Sequence, residues 1–187
     1  MAQKRKDWNG LISGFKASDL VFLDESGCNT DMTRRYADSL GGSRAVDSAP
    51  LSKPKNTTIL SSIQLDGTLR YTTFSGGTTV ERFKRYLETD LLPHLNGNSV
   101  LIMDNMKSHH AKAVRNLLDS SGVRYIYLPP YSPDLNPIEK LWSKVKSFLR
   151  KFKARTLDAL PNAIQNAFHS VTVSDCSGWF RFCGYAL

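Results

Sequence analysis

The chain has 187 residues, 41% hydrophobic and 22% charged, and its 25 Lys and Arg against 17 Asp and Glu leave a net charge of +8. This is globular composition, long enough for one domain with a full core, and it excludes a disordered chain. No apolar run nears the roughly 20 residues that cross a bilayer, and no apolar stretch follows the basic start Met1-Ala-Gln-Lys-Arg-Lys-Asp7, so membrane and secreted classes are excluded.

Residues 1–19 are polar, with Gly10 and Gly14, and read as a loose lead-in to a domain spanning 20–187. Leu20-Val-Phe-Leu-Asp24 is a buried strand that ends in acid. Residues 25–56 are rich in Gly, Pro, Ser and Asn and read as mostly loop, with a short strand near Arg35-Tyr36-Ala37. Two β-rich runs, 57–65 and 68–74, flank Asp66-Gly67 and predict a hairpin with a type I′ turn. Val80, Phe83, Leu87 and Leu91 predict a helix over 78–92, capped by Thr78 or Thr79 and ended by Pro93. A strand over 98–103 ends in Asp104, a helix over 109–119 stops at Gly122, and a strand over 123–128 leads into the rigid segment Pro129–Pro137.

The strongest helix follows. Ile138, Leu141, Trp142, Val145, Phe148, Leu149 and Phe152 form one apolar stripe, with Asn136 as N-cap and Pro137 in the first helical position. A last helical region covers about 157–171, and the aromatic tail 179–185 is expected to pack. The sum is one α/β domain: a mixed sheet of five strands with helices on its faces. Cys28, Cys176 and Cys183 are too few and too scattered for a disulfide framework or a zinc module, which fits a reducing compartment.

Three acids stand out. Asp24 and Asp104 end apolar strands and Glu139 opens the amphipathic helix, which are the rigid edges where an α/β sheet places its chemistry. Three hard oxygen ligands suit Mg²⁺ or Mn²⁺, and two such ions about 3.5–4 Å apart serve phosphodiester cleavage. Structural readings stand beside this one: Asp24 and Asp104-Asn105 as turn formers, and Asn136-x-x-Glu139 as a capping box.

The excess positive charge points to a polyanion, nucleic acid foremost. On the helical wheel Ser143, Lys146 and Arg150 share a flank with Glu139, so Lys146 and Arg150 are candidate DNA contacts, whereas Lys140, Lys144 and Lys151 read as a solvated face. His109 and His110, just beyond Asp104, are candidates to position water or touch a phosphate. Glu25 should face away from Asp24 if the strand runs that far. Asp31, Asp38, Asp47, Asp66 and Asp134 read as solvated loop acids, and His94 and His169 as incidental.

Three segments carry a family resemblance: Val21-Phe-Leu-Asp-Glu-Ser-Gly27, Leu101-Ile-Met-Asp-Asn105 with His109-His110, and Leu128-Pro-Pro-Tyr-Ser-Pro-Asp-Leu-Asn-Pro-Ile-Glu-Lys-Leu-Trp142. With Gly178-Trp-Phe and Cys183-Gly-Tyr they resemble, over about residues 20–185, the catalytic domain of mariner-like DDE transposases, in the bacterial insertion-sequence branch. The resemblance implies a ribonuclease-H-like fold and a two-metal site of Asp24, Asp104 and Glu139 holding Mg²⁺ or Mn²⁺. It implies cleavage of double-stranded DNA at transposon ends and transfer of the freed 3′-hydroxyl into target DNA at TA, by a homodimer in the bacterial cytoplasm at the nucleoid. Met106 and Lys107 stand where family members often have small residues. About 19 residues precede the first strand, too few for the helix-turn-helix modules of full-length relatives, so end recognition is expected from a separate polypeptide, an upstream frame or a lost region. A nuclease that cuts without joining and a non-catalytic DNA-binding remnant are the alternatives.

Overall fold

Apolar runs too short for helices, with large side chains for both faces, become the strands of one sheet. A computed structural model of the chain describes residues 2–34, 36, 38–46, 48 and 55–185. Strands β1 (Leu20–Cys28), β2 (Thr57–Gln64), β3 (Leu69–Ser75), β4 (Val100–Met103) and β5 (Arg124–Tyr127) lie in the order β3-β2-β1-β4-β5. The β1–β2 and β2–β3 pairs are antiparallel, and β1–β4 and β4–β5 are parallel. Helices α1 (Ala2–Ile12), α2 (Val80–Tyr86), α3 (Lys112–Ser121), α4 (Ile138–Phe152), α5 (Leu160–His169) and α6 (Val173–Phe182) flank this mixed five-stranded sheet.

Alternation along β1 divides the core. Leu20 and Phe22 join the cluster of α4, α5 and α6, through Leu141, Phe168 and Phe180 among others. Val21 and Leu23 join the cluster of α2 and α3, through Phe83, Leu87, Val114 and Leu118. Because the first four residues of β1 are covered on both faces they are continuously apolar rather than alternating, and β1 runs on past the expected end at Asp24 to Cys28, because β2 keeps pairing with it. The acids that follow keep this parity: Asp24 faces the α4 layer and Glu25 the α2–α3 layer.

Several local expectations are corrected. The lead-in is not loose: it forms α1, whose Trp8 is only 4% exposed in the α4–α6 cluster, and whose Arg5 is ion-paired with Asp134 and hydrogen-bonded to Ser132. Trp8, Leu11, Ile12 and Phe15 stand at i, i+3, i+4 and i+7, a short apolar spacing that could have revealed the helix, and Ile12 and Phe15 pack against the same cluster. Trp8→Ala is expected to cost about 3–5 kcal/mol, as for a large aromatic removed from a core. Urea unfolding checks this, and a loss below about 1 kcal/mol would show that α1 is not part of the core.

The hairpin turn has three residues, Leu65-Asp66-Gly67, because Asp66 does not adopt the positive φ that a type I′ turn needs. Its carboxylate accepts the Thr68 N–H at 2.8 Å, and Gly67 takes φ 89° where a Cβ would also press on Val173 at 3.0 Å. Of the strand expected near residues 35–37, Arg35 and Ala37 lie outside the described residues, as does Asp47, and Tyr36 belongs to no strand. The Arg155 guanidinium instead holds the loop after β1, donating to the carbonyls of Thr30, Met32 and Ser48 at 3.2, 3.1 and 2.8 Å. The helix expected over 78–92 is α2 followed by a wider π turn, Leu87–Leu91, and a 3-10 turn through Pro93. α3 starts only at Lys112, leaving His109 and His110 in the preceding turn. The region after 157 holds two helices rather than one, because the Thr172–Asp175 capping box starts α6, which carries Phe180 onto Phe22 at 5.4 Å.

Candidate active site

Leu23 of β1 pairs with Met103 of β4 in parallel register, so the next residues, Asp24 and Asp104, stand side by side where β4 ends. Ligands bind beyond the carboxyl ends of parallel strands in such sheets. The first turn of α4 brings Glu139 to the same place, and all three carboxylates line one cleft of about 580 Å³ with Glu25, Asn105 and Asn136.

Asp24 is 8% exposed and accepts the Trp142 indole N–H at 3.0 Å. Burial pushes its carboxyl up to about 7, the negative charges of Asp104 and Glu25 add to this, and the hydrogen bond from Trp142 opposes it. Burial also pushes Asp104 upward, but hydrogen bonds from His109 and from the Met106 N–H at 2.9 Å outweigh it and hold Asp104 below its ordinary value. Asp104 is thus turn former and cleft acid together. The capping box is absent: no side chain caps α4, and only the Asn136 carbonyl meets the Glu139 N–H, at 3.1 Å. Glu139 therefore presents an exposed carboxylate with no protein partner among the described residues.

His109 has no exposed surface, so it does not contact a DNA backbone as the sequence suggested. Its Nδ1 lies 2.8 Å from Asp104 Oδ1, its Nε2 lies 3.1 Å from Glu25 Oε2, and Phe83 stacks on the ring at 4.2 Å. Two carboxylates on two ring nitrogens make both donors, the imidazolium form. Burial lowers its pKa, but those two partners raise it to about 9. Glu25 faces away from Asp24, as expected if the strand ran that far, and reaches the cleft from the other layer through this bridge. Its adjacency to Asp24 was the only signal. His110 is half-buried and stacks on Tyr127 at 4.0 Å.

Lys146 and Arg150 are half-buried on the flank of α4 and form no ion pair among the described residues, but they do not line the acid cleft; the Lys146 charge is felt at Cys28. The opposite lysines are not simply solvated: Lys140 lies 3.8 Å over the Phe182 ring and Lys144 pairs with Asp175. Asp134, too, is paired rather than free.

The donor set fits a hard divalent cation. The cleft is rich in carboxylates (Asp24, Glu25, Asp104 and Glu139), and two of its buried oxygens, Glu25 Oε1 and Asn136 Oδ1, have no hydrogen-bond partner. Among the described residues no three His, Cys, Asp or Glu side chains converge tightly enough to hold an ion, so the carboxylates share a cleft rather than a closed cage. Trp142→Phe, which removes a donor to Asp24, should favour its protonated form and weaken Mn²⁺ binding at neutral pH about 10- to 100-fold. Calorimetry should show most of the loss recovered at higher pH; an unchanged affinity would mean that Asp24 is not a ligand. The outer wall is strained: Tyr131 holds φ 55°, a left-handed conformation costing about 1–2 kcal/mol, and the residue is 87% exposed.

A sequence profile of the DDE superfamily endonuclease family matches residues 19–161. The Transposable element Tc1 transposase of Caenorhabditis elegans is 30% identical over 97 residues, covering 50% of this chain and 36% of that protein. A pre-cleavage Mos1 transpososome superposes with TM-score 0.82 at 18% identity, covering 97% of this chain and 58% of the other. The catalytic domain of Mos1 mariner transposase does so with TM-score 0.73 at 17% identity, covering 96% and 85%. These likenesses show the fold to be ribonuclease-H-like. The chain spans about a third of the curated relative's length and under two thirds of the transpososome chain.

Proposed function

This chain belongs to the DDE superfamily endonuclease family, and from that premise we propose that it is the catalytic domain of a DNA transposase whose acid cleft cuts phosphodiesters. The observation that carries the reading is the convergence of Asp24 from mid-β1, Asp104 from the end of β4 and Glu139 from the start of α4 on one cleft. Asp24, Asp104 and Glu139 would hold Mg²⁺ or Mn²⁺, the ions named in Mos1 structures of the same fold. Bound there, a pair of such ions supplies Lewis acidity for attack on phosphorus and counter-charge for the leaving oxygen.

The protein's own groups prepare that chemistry. Trp142 fixes Asp24 and favours its ionised form, which a cation needs. His109, held by Glu25 and Phe83, fixes the Asp104 carboxylate. Glu139 stays unengaged on the first turn of a rigid helix. The basic flank of Lys146 and Arg150 provides phosphate contacts beside the cleft rather than in it.

The finer reading follows from the family resemblance and from relatives solved as transpososome and paired-end complex. The substrates are transposon ends and a TA target, two copies act together on DNA, and a helix-turn-helix segment or polypeptide recognises the ends. The test uses duplexes carrying the inverted repeats that flank the gene. With Mg²⁺ or Mn²⁺ the protein should nick them and join pre-cleaved ends to target DNA. Cleavage without joining would make it a nuclease, and salt-sensitive binding without cleavage would make it a DNA-binding remnant.

A further inference from the structure

The strained wall of the cleft borders a second, smaller cavity. It holds about 220 Å³ between α1 and the Pro-Pro-Tyr-Ser segment, and is lined by Lys4, Arg5, Pro129, Pro130, Tyr131 and Ser132. Tyr131 lines both this cavity and the acid cleft. Besides Lys153, which ends α4, it is the only described non-glycine residue with positive φ. A tyrosine both strained and exposed gains nothing for the fold, and such strain collects where a surrounding structure imposes it for binding. The surroundings here impose it firmly: prolines precede and follow the segment, and Arg5 clasps it from α1 through Ser132 and Asp134.

We propose that Tyr131, Pro129 and Pro130, with Lys4 above them, form a nucleotide subsite that takes one unstacked DNA base beside the phosphate being cut. This rests on the functional reading above and adds to it a contact to the base. An aromatic face stacks on any base, the proline rings offer an apolar floor, and the exposed Lys4 ammonium supplies the charge for the adjoining phosphate. The cavity is smaller than the roughly 300 Å³ at which drug-sized pockets begin, which suits a single base rather than a base pair. Drawing one base from a duplex costs its unstacking and unpairing, and a waiting aromatic offsets part of that cost.

The test compares binding of a blunt duplex with one bearing a two-nucleotide single-stranded end, by fluorescence anisotropy in Ca²⁺. The wild type should prefer the single-stranded end about 10-fold, within the range of one base stacked on an aromatic. Tyr131→Ala should abolish that preference while keeping its melting temperature, since the ring is exposed. Tyr131→Trp should keep the preference, and an end made abasic should bind like the blunt duplex. Equal preference in wild type and Tyr131→Ala, or no preference in the wild type, overturns the subsite. A wild type that shows the Tyr131-dependent preference but never cuts DNA in Mg²⁺ or Mn²⁺ would overturn the nuclease reading instead.

Discussion

Glu139→Gln should leave the melting temperature unchanged and slow DNA cleavage by at least about 1,000-fold, the scale on which one preorganised charge stabiliser is lost. The Glu139 side chain is exposed and makes no hydrogen bond or ion pair among the described residues, and surface substitutions of that kind stay within about 0.5 kcal/mol of neutral. A helix-capping role would give the opposite pattern, with lower stability and intact cleavage. Single-turnover cleavage with thermal melts on the same samples separates the two. Asp24→Asn should match Glu139→Gln in rate, and should stabilise the metal-free protein at neutral pH because it removes a buried acid whose ionisation burial opposes.

His109→Phe should cost about 3–5 kcal/mol of stability, since it strips the partner from one buried and one half-buried carboxylate. Adding Glu25→Gln should recover a large part of that loss, because the uncompensated charge rather than the missing ring is responsible. The pH dependence has a definite sign. The folded pKa of His109, about 9, lies above that of the free side chain, so its stabilisation is complete below about pH 6.5 and disappears as pH rises through 9. Urea titrations across that window should slope downward in the wild type and lose this slope in His109→Phe. A wild type equally stable at pH 6.5 and 9.5 would mean that the imidazole is neutral in the fold.

The triad was legible because each acid interrupts a pattern: Asp24 and Asp104 break off apolar runs, and Glu139 opens an apolar stripe. Those patterns also determine the fold, since a stretch covered on both faces must be continuously apolar, and the first polar residue of β1 falls where β4 ends beside it and the cleft opens. Glu25 and His109 were not legible as a pair. Their contact depends on strand parity at β1 and on the turn before α3, which sequence spacing does not report. α1 escaped for a different reason: Trp8, Leu11, Ile12 and Phe15 mark only two turns, amid polar and charged residues that outweigh them in composition. At Asn136 a local rule was overridden: the expected cap leaves its Oδ1 buried and unpartnered at the cleft instead. That departure from good local chemistry falls where the function is proposed, as expected of a site that gives up stability for binding.

If Asp24, Asp104 and Glu139 hold the ions that cut DNA, a crystal soaked in Mn²⁺ should show anomalous difference density between these three carboxylates, lost in Asp24→Asn crystals. Mn²⁺ bound elsewhere, with the acid cleft empty at saturating concentration, would contradict that assignment.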